Sequence, residues 1–386
     1  MRTRSIKRFL TGLGVTAVGF YLGDLLFKQL YREDDSADEF HRVTTEDDLD
    51  LGLWRYTPDD PDAHREPVLL VHGFSINHRH MCFDERNGVA QYLVEQGYDC
   101  WAPDLRGRRS SDVPEEPWLF DDYVRYDIPA IVDYVLSHSE YDRLHWVGHS
   151  MGAMLFYAFA TSENQKRIAS AVTPGSPFHG FQKSNSETPD SDGDPQLTWL
   201  ERIGKAFRYL PFVNSLDFLP LPFFARWIAL FMDAIPKNIS LLLLNMDHTS
   251  SKRLRYAANE GVDMLSTGVL YQFSDWVINN RWTDFDREMN YRENVQNVEV
   301  PTLIIAGELD QMSPVHNLRR GYEAIPAEDK DFRVMGDFED VNGQYGHIDL
   351  IFGDEARDEV FPHIADWLET HSIQESERTE VTGLKE

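Results

Sequence analysis

Cysteine is nearly absent: the 386-residue chain has only Cys82 and Cys100. That pair fits neither a zinc-ligand spacing nor a disulfide framework, so metal and redox chemistry are not suggested and both thiols read as packing residues. Positive charge is also scarce, with 37 Lys and Arg against 65 Asp and Glu and a formal net charge of -28. A polyanion would be repelled, and no basic patch outside the N-terminus offsets this, so nucleic acid is excluded as a partner. The acid excess suits either solubility at high salt or an ordinary acidic surface. No internal repeat and no lipobox cysteine is present. Apolar material is plentiful, 42% hydrophobic and 12% aromatic, enough for a sizeable core.

The N-terminus breaks the acidic trend. Arg2, Arg4, Lys7 and Arg8 precede an apolar run from Phe9 to Gly23, and the acids Glu33, Asp34 and Asp35 follow. This pattern is that of an export signal or anchor. No small-x-small cleavage site follows cleanly, so an uncleaved anchor is favoured over a cleaved signal or an interfacial helix. The charge asymmetry would leave the N-terminus cytoplasmic and the body outside. Membrane association through residues 1–31 is therefore expected, with export after cleavage as the alternative.

After the acidic linker "REDDSADE", the stretch "FHRVTTEDDLDLGLWRY" alternates apolar and polar residues about an acidic turn and reads as a β-hairpin. The grammar then changes to short apolar runs, "PVLLVHG", "YDCWAPD", "RLHWVGH" and "RIASAVTPG", separated by helical segments. That alternation implies an α/β fold with a mostly parallel central sheet flanked by helices. It stops from 178 to 288, where helices and no convincing strand suggest an inserted cap. It resumes with "VPTLIIAGELD". The expected division is a signal or anchor (1–31), a first core segment (32–177), a helical cap (178–288), a second core segment (289–371) and a disordered tail (372–386).

Between a predicted strand and a predicted helix stands Gly148-His149-Ser150-Met151-Gly152, a G-x-S-x-G. Small flanking residues permit a sharp strained turn that exposes a serine at the end of the sheet.

With this elbow in context, the chain resembles the α/β hydrolases over most of residues 40 to 371 apart from the insertion. "VHGF" resembles the family's His-Gly motif, which implies that the Phe74 and Met151 backbone N–H groups form an oxyanion hole. "DLRGRRSS" resembles the Asp-x-Arg-Gly loop, where Arg106 reads as holding a structural turn. "GELDQMSP" resembles the acid-bearing turn and nominates Asp310, and "YGHIDLIFG" supplies His347. Asp349, two residues after His347, is an alternative acid, disfavoured because so near a neighbour seldom reaches the ring nitrogen with the right geometry. His72 and His149 read as packing and hydrogen-bonding residues beside the site. "VTTEDDLDLGLWRY", "HIDLIFG" and the "VFPHI" helix bear a partial resemblance to the acid lipases.

The resemblance implies a serine hydrolase of esters with apolar acyl groups, acting through an acyl-enzyme on Ser150, Asp310 and His347, with no cofactor and no metal. An acyltransferase, a thioesterase and a non-catalytic membrane-tethered binding module are the alternatives. In "LPFFARWIALFMDAI" the residues Phe223, Trp227 and Phe231 share one helical face, with Arg226 off it. Placed in the insertion, that face is expected to bind a lipophilic acyl chain. Nothing in the sequence indicates an oligomeric state.

Overall fold

The short apolar runs are continuous because they are covered on both sides. The computed structural model describes residues 21–60, 65–83, 87–161, 163–177, 217–235, 244–336 and 344–373. Its main sheet has eight strands: β1 (Glu39–Thr44), β2 (Asp50–Tyr56), β3 (Val68–Val71), β4 (Cys100–Asp104), β5 (Leu144–Gly148), β6 (Ile168–Pro174), β9 (Thr302–Gly307) and β10 (Lys330–Met335). Their order is β1-β2-β4-β3-β5-β6-β9-β10. The strand β2 runs against both neighbours, and every other pairing is parallel. In β3, Leu69 and Val71 join the core on one face while Val68 and Leu70 join the core on the other, the two-residue period of a pleated strand.

This order places the site. The chain passes from β3 to β4 on one side and then returns to lay β5 on the other, so the strand order reverses at β3. Crevices in open α/β sheets form at such reversals, beyond the carboxyl ends of the strands. Phe74, Ser150, Asp310 and His347 follow β3, β5, β9 and β10 respectively.

In the insertion the structure adds what the sequence missed, a two-stranded antiparallel ladder of β7 (Phe218–Leu219) and β8 (Leu265–Ser266). Two residues per strand are too few for alternation to show. Residues 178–216 and 236–243 of the expected cap lie outside the described residues, as do 1–20 of the anchor and 374–386 of the tail. The first tail residues are docked: the Ile373 amide donates to Glu66 Oε1 at 3.0 Å and the Ser372 hydroxyl to the Leu368 carbonyl at 2.9 Å.

Residues 21–30 form a helix that packs on the cap helix Leu221–Ala229. Arg226 Nε donates to Asp24 Oδ1 at 2.6 Å, and Phe27 is buried with Ala229 and Ala258. The Trp227 ring lies over Gly23, where an added Cβ would stand 3.2 Å from it. The acidic linker that follows is strapped to the core. Asp35 accepts from His78 Nε2 at 2.6 Å and from the Tyr56 hydroxyl at 2.9 Å, and Arg79 donates to the Asp34 carbonyl at 3.1 Å. Among the described residues no helix is long and apolar enough to cross a membrane.

Candidate active site

Ser150 is held at φ 55°, ψ -115°, a left-handed conformation that costs a non-glycine residue about 1–3 kcal/mol and persists only where the surroundings over-determine it. They do so here. The His149 and Ser150 amides donate to the Val71 and Pro174 carbonyls, each at 3.0 Å, which ties the elbow to the ends of β3 and β6. The helix Met151–Phe159 starts at once. Its close approach needs the small residues of the motif: a Cβ on Gly152 would fall 2.1 Å from the Val71 carbonyl oxygen.

The Ser150 hydroxyl lies 2.8 Å from His347 Nε2, and His347 Nδ1 lies 2.8 Å from Asp310 Oδ2. All three residues are buried. The remaining oxygen of Asp310 accepts the Met312 and Ser313 amides, each at 2.8 Å, which fixes the carboxylate in its turn. The Ser313 hydroxyl donates to the Gly175 carbonyl at 2.8 Å. Gly175 has φ +59°, and a Cβ there would stand 3.2 Å from His347 Nδ1. Neither Ser313 nor Gly175 was singled out from the sequence, since the Ser313 hydroxyl and the Gly175 backbone meet only when segments 138 residues apart are folded together.

Asp349 is not on the ring. Its two oxygens accept the Gly346 amide at 2.6 Å and the Asn245 amide at 3.1 Å, so it clamps the loop that presents His347. Burial pushes its pKa up to about 6 against those two donors. Phe74 follows β3 and packs on Phe273 with ring centroids 4.9 Å apart. A Cβ on the preceding Gly73 would be 3.3 Å from Ser150 Cβ. Met151 is the first residue of the elbow helix. Among the described residues neither the Phe74 nor the Met151 amide donates to a protein acceptor.

His72 and His149 behave as packing and hydrogen-bonding residues. His72 bridges the Gly73 carbonyl at 2.9 Å and the Leu105 amide at 3.3 Å. His149 Nε2 donates to the His347 carbonyl at 2.9 Å. Sequence reasoning missed His80, whose ring lies 4.8 Å from that of His149. Burial pushes the His80 pKa down to about 3, helped by the charges of His347, His72 and Arg253. His149 is likewise held well below the usual range by burial and by His80. His78 is different: burial alone would lower its pKa, but carboxylates on both ring nitrogens, Asp104 and Asp35, outweigh it and raise it. Arg106 is a structural residue, donating from Nε to Asp127 at 2.7 Å and pairing with Asp47.

The cap residues expected to bind the acyl chain are turned to solvent or to the 21–30 helix. Phe223 and Phe231 are exposed, and Trp227 lies over Gly23. Arg226 pairs with Asp24 on the buried side of the helix, which leaves Phe223 and Phe231 toward solvent.

Residues 66–353 match the family model described as the alpha/beta hydrolase fold. The chain belongs to the α/β hydrolases. This α/β hydrolase is 26% identical over 367 residues to a probable lipase of Schizosaccharomyces pombe, covering 86% of this chain and 75% of that one. It is 23% identical over 359 residues to the gastric triacylglycerol lipase of Bos taurus, covering 84% and 86%. Among solved structures, an esterase from Exiguobacterium antarcticum superposes with a TM-score of 0.55 at 15% identity, covering 86% of this hydrolase and all of that chain. A membrane phospholipase A superposes with a TM-score of 0.54 at 16% identity, covering 95% and 99%. The chain is thus a lipase- or esterase-like α/β hydrolase.

Proposed function

We propose that the protein is a serine ester hydrolase that cleaves lipid esters with apolar acyl groups through an acyl-enzyme. The observation that carries this reading is the chain of two 2.8 Å hydrogen bonds from Ser150 through His347 to Asp310. His347 Nε2 takes the hydroxyl proton as Ser150 Oγ attacks the ester carbonyl, and Asp310 holds the ring tautomer and offsets the imidazolium charge. The Phe74 and Met151 amides donate to the oxyanion of the tetrahedral intermediate. Collapse breaks the ester C–O bond, and His347 returns the proton to the leaving alcohol. Water then adds to the acyl-enzyme with His347 as base, releasing the acid and restoring Ser150.

The lipase relatives support a lipid ester as substrate. We further propose that residues 1–31 hold the protein at a membrane with the hydrolase body outside the cytoplasm, on the strength of the charge asymmetry about the apolar run. The test is covalent labelling by a fluorophosphonate probe, with turnover of an acetate ester measured in parallel. The wild-type protein labels; Ser150→Ala abolishes labelling and lowers turnover by on the order of 10⁴-fold or more with the fold intact. Undiminished turnover in a folded Ser150→Ala protein would sink the mechanism. Product analysis with added alcohol or acyl thioester separates the hydrolase from an acyltransferase or a thioesterase.

A further inference from the structure

Helices in globular proteins turn their apolar side to the core and their charges to water. Two helices here do the reverse, and they do it together. In the helix at 21–30, Asp24 and Phe27 face inward while Tyr21, Leu22, Leu25 and Leu26 face out, Leu22 being 57% and Leu26 56% exposed. In the cap helix Leu221–Ala229 and the turn after it, Arg226 and Ala229 face inward. Phe224, Ile228 and Phe231 are 55%, 59% and 67% exposed. The inward charges satisfy each other through the 2.6 Å bond between Arg226 and Asp24, and the Trp227 ring over Gly23 packs the two helices together. Single exposed apolar residues are ordinary, but so many on two helices that pack against each other mark an interaction surface.

We infer that the outward faces of these two helices form one composite surface that seats on the leaflet of a lipid bilayer, with the cap helix lying in the interface beside the N-terminal helix. The chain before residue 21 argues for lipid as the occupant. It holds Arg2, Arg4, Lys7 and Arg8 and then an apolar run that leads without a break into the outward-facing residues. Cations next to an apolar face suit anionic headgroups above acyl chains. A second copy is disfavoured because its approach would bring together two bodies each carrying a formal charge of -28. The surface goes beyond an N-terminal tether, because it makes a segment some 200 residues further along the chain a lipid contact. It rests on the ester-hydrolase reading only for the reason to visit a lipid surface.

The test uses the full-length protein. Cys82 and Cys100 are fully buried, so Leu26→Cys and Ile228→Cys can each be labelled selectively with an environment-sensitive nitrobenzoxadiazole. Lys166→Cys, on an exposed core loop, serves as control. With vesicles of phosphatidylcholine containing phosphatidylglycerol, the labels at 26 and 228 shift to the blue and are quenched by shallow spin-labelled lipids, whereas the label at 166 does neither. A shift at 26 alone would reduce the surface to a tether and overturn the inference, as would no shift at either. A shift at both that follows protein concentration without vesicles would assign the face to a second copy and overturn it too. As a second arm, Leu22→Asp with Phe224→Asp weakens vesicle binding by about tenfold or more while leaving turnover of a soluble acetate ester unchanged. Repeating the label measurements in Ser150→Ala separates the two readings, since the shifts need no catalysis.

Discussion

Asp310 and Asp349 lie on opposite sides of His347 in function although both flank it in space. One accepts from the ring and the other from the backbone of the loop that carries the ring. Asp310→Asn therefore removes the acceptor that selects the His347 tautomer, and activity falls by on the order of 10⁴-fold. Asp349→Asn keeps one acceptor oxygen and loses a clamp, so it lowers stability by about 1–3 kcal/mol while kcat changes far less. Steady-state kinetics and urea unfolding of both variants check the ranking; a reversed order would move the acid to Asp349. The preference for Asp310 was legible because a turn at the end of a neighbouring strand can aim a side chain across the sheet edge. His80 was not legible. In "NHRHM" nothing in the spacing says which ring a single tight turn will press against His149, because that depends on how the turn docks.

At the level of elements, the hairpin and the parallel strands were legible because each carries its own period. A strand covered on both faces is a continuous apolar run, and one covered on a single face alternates. The cap helix shows where such reasoning stops. Periodicity marks out an apolar face on it, with Arg226 off that face, without saying what the face meets. Its orientation was decided by Asp24, about two hundred positions away. Removing Arg226 strands a carboxylate in the contact, with Lys28 as its remaining partner at 2.9 Å. Arg226→Leu should therefore loosen the 21–30 helix, seen as faster amide exchange there with little change in the core. The double variant with Asp24→Leu should recover part of the loss, with a coupling of about 1–3 kcal/mol. Additive effects of the two changes would mean that the ion pair does not orient the cap.

Across the whole molecule, burial has left several histidines neutral. His72, His80 and His145 are each pushed down to about 3, and His149 lies well below the usual range. A histidine whose folded pKa is depressed binds its proton only when unfolded, so each of them withdraws stability as the pH falls through the ordinary imidazole range, from about 7.5 to about 5.5. His78, raised by its two carboxylates, acts in the opposite sense, as do Asp349 and Asp127, whose carboxyls burial pushes up to about 6. Four depressed histidines outnumber the groups that act against them, so acidification over this range lowers stability, and folding free energies are small enough for such a loss to be read directly. Urea unfolding at the two pH values measures it, and equal stability at both would contradict the neutral histidines. The strap at residues 33–35 has a different consequence. With Asp35 fastened to His78 and Tyr56, and Arg79 to the Asp34 carbonyl, there is no slack between the N-terminal helix and the hydrolase body. If the two helices seat on a leaflet as proposed, a body mounted that stiffly would keep Ser150 at one height above it. Its search for esters would then be a two-dimensional one, confined to molecules that present their carbonyl at that single depth.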